Sequence, residues 1–323
     1  MKEVKKGALV LEIISGTLFL FAGLFLIMGF SIPIIIDLRL FISILLIVSG
    51  ALIIVLSLYG IHIGSTIVLV ISLCAFLIAL LSPSIYMHTK YYETTYSLSI
   101  NDINTSINEL IILVKSSTGS VNIDFTDNES LIYRVKLYGW FFPIFGLVEP
   151  SVKYEVSNNT LYLIIDSKTL STNILLSKRY NLELDIESST GAVKMSGSEI
   201  KTNKLDITVS TGSIDISIEN SEVNTLMAKS STGEVKVQLI NIKPSIEVGM
   251  IAITSSTGSI DLKLSNLEGI DLKASTSTGE IDVRASKDYD VFTGPKTAIV
   301  RAEPVRYIIT LETSTGSISI GIE

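Results

Sequence analysis

One cysteine and two histidines stand in 323 residues. Cys74 alone can build neither an intramolecular disulfide framework nor a cysteine zinc cluster, and it reads as a small apolar side chain packed in a helix. His62 and His88 both lie in or beside apolar sequence, so no imidazole remains further along to serve a serine or cysteine nucleophile. Charge is scarce too, at 18% where soluble domains carry about a quarter. The net charge of −7 argues against a nucleic-acid partner. The chain contains no phosphate-binding Gly-x-x-x-x-Gly-Lys-Ser/Thr loop, no His-Glu-x-x-His helix, no Gly-x-Ser-x-Gly elbow and no calcium-binding nonapeptide. Glu234, Glu280 and Asp282 are of the type that cleaves sugars in pairs, but they sit in a repeating surface pattern and read as solvated or salt-bridged side chains. The chain is therefore read as no enzyme, with no cofactor and no metal.

What is abundant is apolar sequence, with a mean hydropathy of +0.52. It is unevenly spread. Residues 1–90 carry Lys2, Lys5, Lys6, Arg39 and Lys90 against Glu3, Glu12 and Asp37, a net of +2, which leaves −9 for residues 91–323. Residues 8–30 form one apolar run, and residues 40–82 form another with no acidic or basic side chain except His62. A bilayer core of about 30 Å takes about 20 helical residues. The second run is twice that length, and Gly60 and Gly64 offer a turn inside it. Three spans are predicted, at about 8–30, 40–58 and 66–82, in a transmembrane domain covering 1–90. Lys2, Lys5 and Lys6 precede the first span, so the N-terminus is expected in the cytoplasm and residues 91–323 outside it. Tyr86, Tyr91, Tyr92 and Tyr96 follow the third span and fit an aromatic belt. Asn104, Asn128 and Asn158 each begin an N-glycosylation sequon in the part expected outside.

From there a repeat takes over. Ser-Thr-Gly occurs seven times, first as Ser117-Thr118-Gly119 and then ending at Gly191, Gly212, Gly233, Gly258, Gly279 and Gly316. The gaps between these glycines are 72, 21, 21, 25, 21 and 37. After each glycine, apolar and polar residues alternate, as in Ile214-Asp215-Ile216-Ser217-Ile218, the pattern of a half-buried strand. A second, short strand is expected in each unit, as at Leu205-Asp206-Ile207. One such unit cannot bury its apolar face alone, whereas a stack can. The residues between the apolar ones include Lys194, Asp215, Lys236 and Asp261, which would alternate in sign up a stacked face and penalise a slipped register. The fold class expected is an α-helical transmembrane bundle followed by an all-β, parallel β-solenoid of about 21-residue Ser-Thr-Gly repeats. Residues 126–188 and 286–313 break the spacing and are expected as irregular insertions. The strand Ser317–Ile322 is expected to be the last rung, with an open edge able to pair with another surface protein. Leu137–Val148 is strongly apolar, holds the only tryptophan and is too short to span a bilayer. It is expected to cap the membrane-near end of the stack, with Trp140, Phe141, Phe142 and Phe145 as candidate membrane or partner contacts.

The Ser-Thr-Gly-x-Ile-x-Ile units beside a short membrane bundle resemble the β-strand-repeat family of adhesin-like proteins of unknown function found in bacteria and archaea. The resemblance covers about residues 100–323 and implies a parallel stack of strands and no catalytic residue. The function expected is a membrane-anchored surface protein of structural or adhesive kind, with the lipid bilayer and other surface or membrane proteins as partners. Some relatives of that layout serve envelope-stress sensing, so the second expectation is a regulatory membrane protein acting through a membrane partner.

Overall fold

A computed structural model describes residues 90–103, 105–141, 149–286 and 288–323, together with Thr17, Ile47, Val48, Ala51, Ile53 and Val55, which are helical. The remainder of the predicted spans 8–30, 40–58 and 66–82 lies outside the described residues. No helix among the described residues is long and apolar enough to cross a membrane. Among the described residues, the regular elements of the unit Lys90–Glu323 are strands and one short 3-10 turn.

Its strands run β1 (Lys90–Ser99), β2 (Glu109–Thr118), β3 (Val121–Thr126), β4 (Leu131–Phe141) and β5 (Ser151–Ser157). Six pairs follow: β6 (Thr160–Lys168) with β7 (Ser171–Ser177), β8 (Asn181–Thr190) with β9 (Val193–Ser198), β10 (Lys201–Thr211) with β11 (Ile214–Glu219), β12 (Glu222–Thr232) with β13 (Val235–Ile240), β14 (Gly249–Thr257) with β15 (Ile260–Ser265), and β16 (Ile270–Thr278) with β17 (Ile281–Ala285). A hairpin, β18 (Asp290–Thr293) and β19 (Thr297–Ala302), leads to a last pair, β20 (Tyr307–Thr315) and β21 (Ile318–Ile322).

Each pair is one rung. The first strand of a rung joins one sheet and the second joins the other, and the rungs pair in parallel with their neighbours. The alternation dictates the core between the sheets. Ile214, Ile216 and Ile218 are 0%, 1% and 0% exposed, while Asp215 faces solvent. In the register Lys194 lies beside Asp215, Asp215 beside Lys236, and Lys236 beside Asp261, as the sign alternation requires. The strand that leads into Ser-Thr-Gly is the longer of the two: β10 has 11 residues and β11 has 6, so the predicted short Leu205–Ile207 strand is the middle of a long one. Rungs turn back at a second corner, where Glu199, Asn220, Asn241 and Asn266 take φ between 48° and 58°. Asparagine tolerates that left-handed backbone better than most residues. The Asn241 side-chain amide donates to the Asn220 side-chain oxygen of the next rung at 2.7 Å.

The order of rungs in space departs from the order in sequence at both ends. One sheet runs β1-β4-β7-β3-β9-β11-β13-β15-β21-β17 and the other β18-β19-β16-β20-β14-β12-β10-β8-β2-β6-β5. The rung β2–β3 is wedged between β6–β7 and β8–β9, and β20–β21 is wedged between β14–β15 and β16–β17. Three expectations are corrected. The strand at 317–322 is no open edge, because β21 is paired on both sides; the edges are β1 and β17 in one sheet and β18 and β5 in the other. Most described residues of 126–188 and 286–313 are in strands rather than irregular insertions: β4 to β7, most of β8, β18, β19 and most of β20. They include a full rung, β6–β7, that escaped notice because Ser167-Lys168-Thr169-Leu170 replaces Ser-Thr-Gly at its corner, with Lys168 at φ 54° and Leu170 fully buried.

Candidate functional site

The Ser-Thr-Gly corners form one continuous edge of the stack. Thr118 pairs with Thr190, Thr190 with Thr211, Thr211 with Thr232, Thr232 with Thr257, Thr257 with Thr315, and Thr315 with Thr278. At a strand spacing of about 4.8 Å this is a column of seven threonines, with a serine column beside it. Every Ser-Thr pair in it is exposed, from Ser117 and Thr118 onward. The glycines make the corner tight enough for this. Gly119, Gly191, Gly212, Gly233, Gly258, Gly316 and Gly279 stack in that order, at φ from 120° to 147°, and a Cβ on Gly191 would stand 2.1 Å from the Gly119 carbonyl oxygen.

The hydroxyl that ties the corner to its neighbour is not in the tripeptide. It belongs to the buried residue just before it. Ser230 donates to the Gly212 carbonyl, Ser255 to Gly233, Thr313 to Gly258 and Thr276 to Gly316, at 3.2–3.3 Å. Sequence reasoning missed these side chains, although a hydroxyl recurs three residues before six of the seven glycines, with Val209 the exception.

The chain enters this unit through β1, which pairs antiparallel with β4, so that Tyr91 lies opposite Trp140 and Lys90 opposite Phe141. Tyr91 and Trp140 meet edge to face at 5.6 Å and are 49% and 54% exposed. Lys136, on the same outer face, pairs with Glu93 at 2.6 Å and lies 5.8 Å from the Tyr138 ring centre. Its ammonium pKa is raised, chiefly by the hydrogen bond it donates to Glu93 and by that carboxylate's charge. Within the described part of the apolar 137–148 segment Leu137 is fully buried and Trp140 faces solvent, while Phe142 and Phe145 lie outside the described residues. Tyr92 and Tyr96 do not join a surface belt, for they point inward on β1 and pack against the core with their hydroxyls 3.2 Å apart. Tyr86 lies outside the described residues.

The sequons differ in geometry. Asn104 lies outside the described residues. Asn128 is exposed in a turn, where its side-chain oxygen accepts from the Ser130 backbone N–H at 3.0 Å and hydroxyl at 2.8 Å. Asn158 and Asn159, at φ 50° and 62°, form the two-residue turn of the β5–β6 hairpin. The hydroxyl of that sequon, on Thr160, is buried and donates to Glu109 at 3.3 Å.

On the outer face of the long strands, Asp185 stands beside Asp206 in the ladder. Partial burial and then the Asp206 charge raise the Asp185 pKa. A carboxylate whose folded pKa lies above its unfolded one binds more protons when folded, so stability is lost as pH rises from the unfolded value through the folded value. Asp185→Asn is accordingly expected to raise the unfolding midpoint at pH 7, by less than about 1 kcal/mol because the group is mostly solvated. The gain should vanish below pH 4 in denaturant titrations.

The Toastrack DUF4097 model matches residues 151–321, which run from β5 to β21. The chain belongs to this family. The Toastrack unit is similar to a candidate cell adhesion protein from Clostridium sporogenes ATCC 15579 at 16% identity, over 72% of this chain and 100% of that one, with a TM-score of 0.42. It is also similar to a candidate adhesin from Bacteroides fragilis NCTC 9343 at 11% identity, over 72% of this chain and 97% of that one, with a TM-score of 0.22. No curated protein matches the chain.

Proposed function

We propose that this chain is a membrane-anchored surface protein whose Toastrack unit is held outside the cytoplasm as a contact surface. The observation that carries the reading is the column of aligned Ser-Thr pairs, which repeats the same exposed hydroxyls on seven rungs at a constant step. Groups repeated in this way let individually weak contacts act together on one partner. The spans at 8–30, 40–58 and 66–82 supply the anchor, with the N-terminal lysines in the cytoplasm. Tyr91 and Trp140, with Lys136 nearby, suit the interfacial layer of a bilayer, where aromatic rings keep one side apolar and one side wet. Asn128 is the sequon whose geometry suits glycosylation. The reading assigns no reaction to the chain.

Protease added to intact cells is expected to remove the region beyond Tyr96 and to spare a tag on the N-terminal tail. Protection of the Toastrack unit until the cells are lysed would overturn the orientation. Copurification of one integral-membrane protein in stoichiometric amount from native membranes would move the reading to the envelope-sensing regulator.

A further inference from the structure

The outer face of the eleven-stranded sheet carries an apolar patch in its middle. On β14 the outward residues are Met250, Ala252 and Thr254. Met227 stands beside Ala252 on β12, and Ile308 stands beside Met250 on β20. Met250 is 46% exposed and Ile308 51%. Single exposed apolar residues are ordinary, but a patch of them flanked by charge marks a contact surface.

The flanking charges make this face complementary to itself. Its outward side chains fall into columns that cross the strands, and a two-fold axis laid along β14 keeps each column on itself. That axis sets β12 on β20 of a second copy, β10 on β16, and β8 on β19. Lys229 then meets the second copy's Glu312. Lys204 meets Asp271 and Asp206 meets Lys273, so one doublet faces another with the signs reversed. Glu183 meets Arg301. All four pairs are opposite in sign, and the axis repeats each of them. Met250 meets its own copy at the centre. Asp185 and Glu187 fall on Ile299 and Thr297 at the rim, where water remains.

Other arrangements of the same two faces lack this match. An axis along β12 sets Lys204 and Asp206 on Met250 and Ala252, and an axis along β20 sets Asp271 and Lys273 there. An axis across the strands sets Asp206 on Asp206 and Lys273 on Lys273. Within the chain, Lys204 pairs with Asp206 and Arg301 with Asp271, both at 3.1 Å, whereas Lys229, Lys273 and Glu312 take part in no ion pair among the described residues. Seven strands at a spacing of about 4.8 Å, each contributing six residues, give a footprint of roughly 700 Å² per copy, close to that of a standard interface.

We propose that this face is a dimer interface, on which two copies of the chain pack sheet to sheet about a two-fold axis along β14. Sheets packed in this aligned way stand about 10 Å apart, within reach of lysine and glutamate side chains. An isologous contact closes on itself and stops at two copies. The axis also leaves Lys90 of both copies at one level along the strands, so two chains anchored in one membrane can form the dimer. The proposal does not depend on that anchor.

The test uses the full chain in detergent with Cys74→Ser throughout. Met250→Cys puts a thiol at the axis, and Asp215→Cys puts one on the outer face of the other sheet. A short bismaleimide is expected to link Met250→Cys chains into a covalent dimer and to leave Asp215→Cys chains unlinked. Adding Lys229→Glu sets carboxylate against carboxylate at two places and is expected to weaken association about tenfold. Glu312→Lys should do the same through its cations, and the two reversals together should restore the parent yield. Positions 229 and 312 lie two strands apart in one chain, so the rescue acts between copies. Circular dichroism confirms that each variant keeps its strands. Absence of a dimer through position 250, equal linking at position 215, or reversals that neither weaken nor rescue the dimer would overturn the proposal. So would a cross-link from position 250 to a different protein in native membranes with no dimer beside it.

Discussion

Gly212→Ala is expected to cost at least about 3 kcal/mol, or to prevent the Toastrack unit from folding. Two independent effects add at this position. Its φ is +141°, a backbone region that residues with a Cβ rarely enter. The new methyl would also stand 2.0 Å from the Gly191 carbonyl oxygen, a backbone atom in the adjacent rung that cannot swing aside like a side chain. Relief would require the rungs to part, breaking ladder hydrogen bonds on both strands. Gly321→Ala is the control. Gly321 lies in β21 with no left-handed φ, and its nearest neighbour to an added Cβ is Lys263 Cγ at 3.9 Å. That change should stay within about 0.5 kcal/mol. Denaturant unfolding of the full chain in detergent, followed by its strand circular dichroism, measures both. Equal losses would show that the glycine stack is not what fixes the corner.

The repeat was legible in the sequence because its physics is local. Period-2 alternation after each Ser-Thr-Gly identifies which residues face the core, and Ile214, Ile216 and Ile218 are buried as that alternation demands. The sign alternation of Lys194, Asp215 and Lys236 identifies the register. Rung order was not legible, because it depends on chain segments that the motif does not mark. The gap of 72 between Gly119 and Gly191 conceals β6–β7, whose Lys168-Thr169-Leu170 corner carries no glycine. The 21-residue step from Gly258 to Gly279 points to direct stacking, yet β20–β21 stands between those two rungs. The Ser-Thr edge was visible as a motif. Its buried hydroxyls were not, since a serine before a serine reads as one more polar turn residue until the glycine carbonyl of the next rung is placed opposite it. The aromatic run at 137–148 gave composition without direction. Only the pairing with β1 shows that Leu137 turns inward and Trp140 outward.

The same alternation sets the second large effect. Ile216→Asp should cost about 5 kcal/mol or more, and Asp215→Asn less than about 1 kcal/mol, although the two positions are adjacent. Ile216 is 1% exposed and lies between Met195 and Val237 in neighbouring rungs. An aspartate there loses the burial of the isoleucine side chain and places a carboxylate among apolar side chains on both sides. Its two flanking neighbours in the strand, Asp215 and Ser217, point to the opposite face, so no nearby cation can turn inward to meet it. The neighbouring rungs cannot close over the defect without shifting their own ladders, so the loss should spread to them as it does in stacked repeats. Asp215 by contrast is exposed beside Lys194 and Lys236, and Lys236 already has Glu234 at 3.0 Å. Removing one carboxylate from that solvated ladder leaves both lysines in water, and Lys236 keeps Glu234 and Asp261 beside it. Denaturant titrations of the two variants against the parent chain decide the matter: losses of similar size would mean that the inner and outer faces of β11 are not energetically distinct.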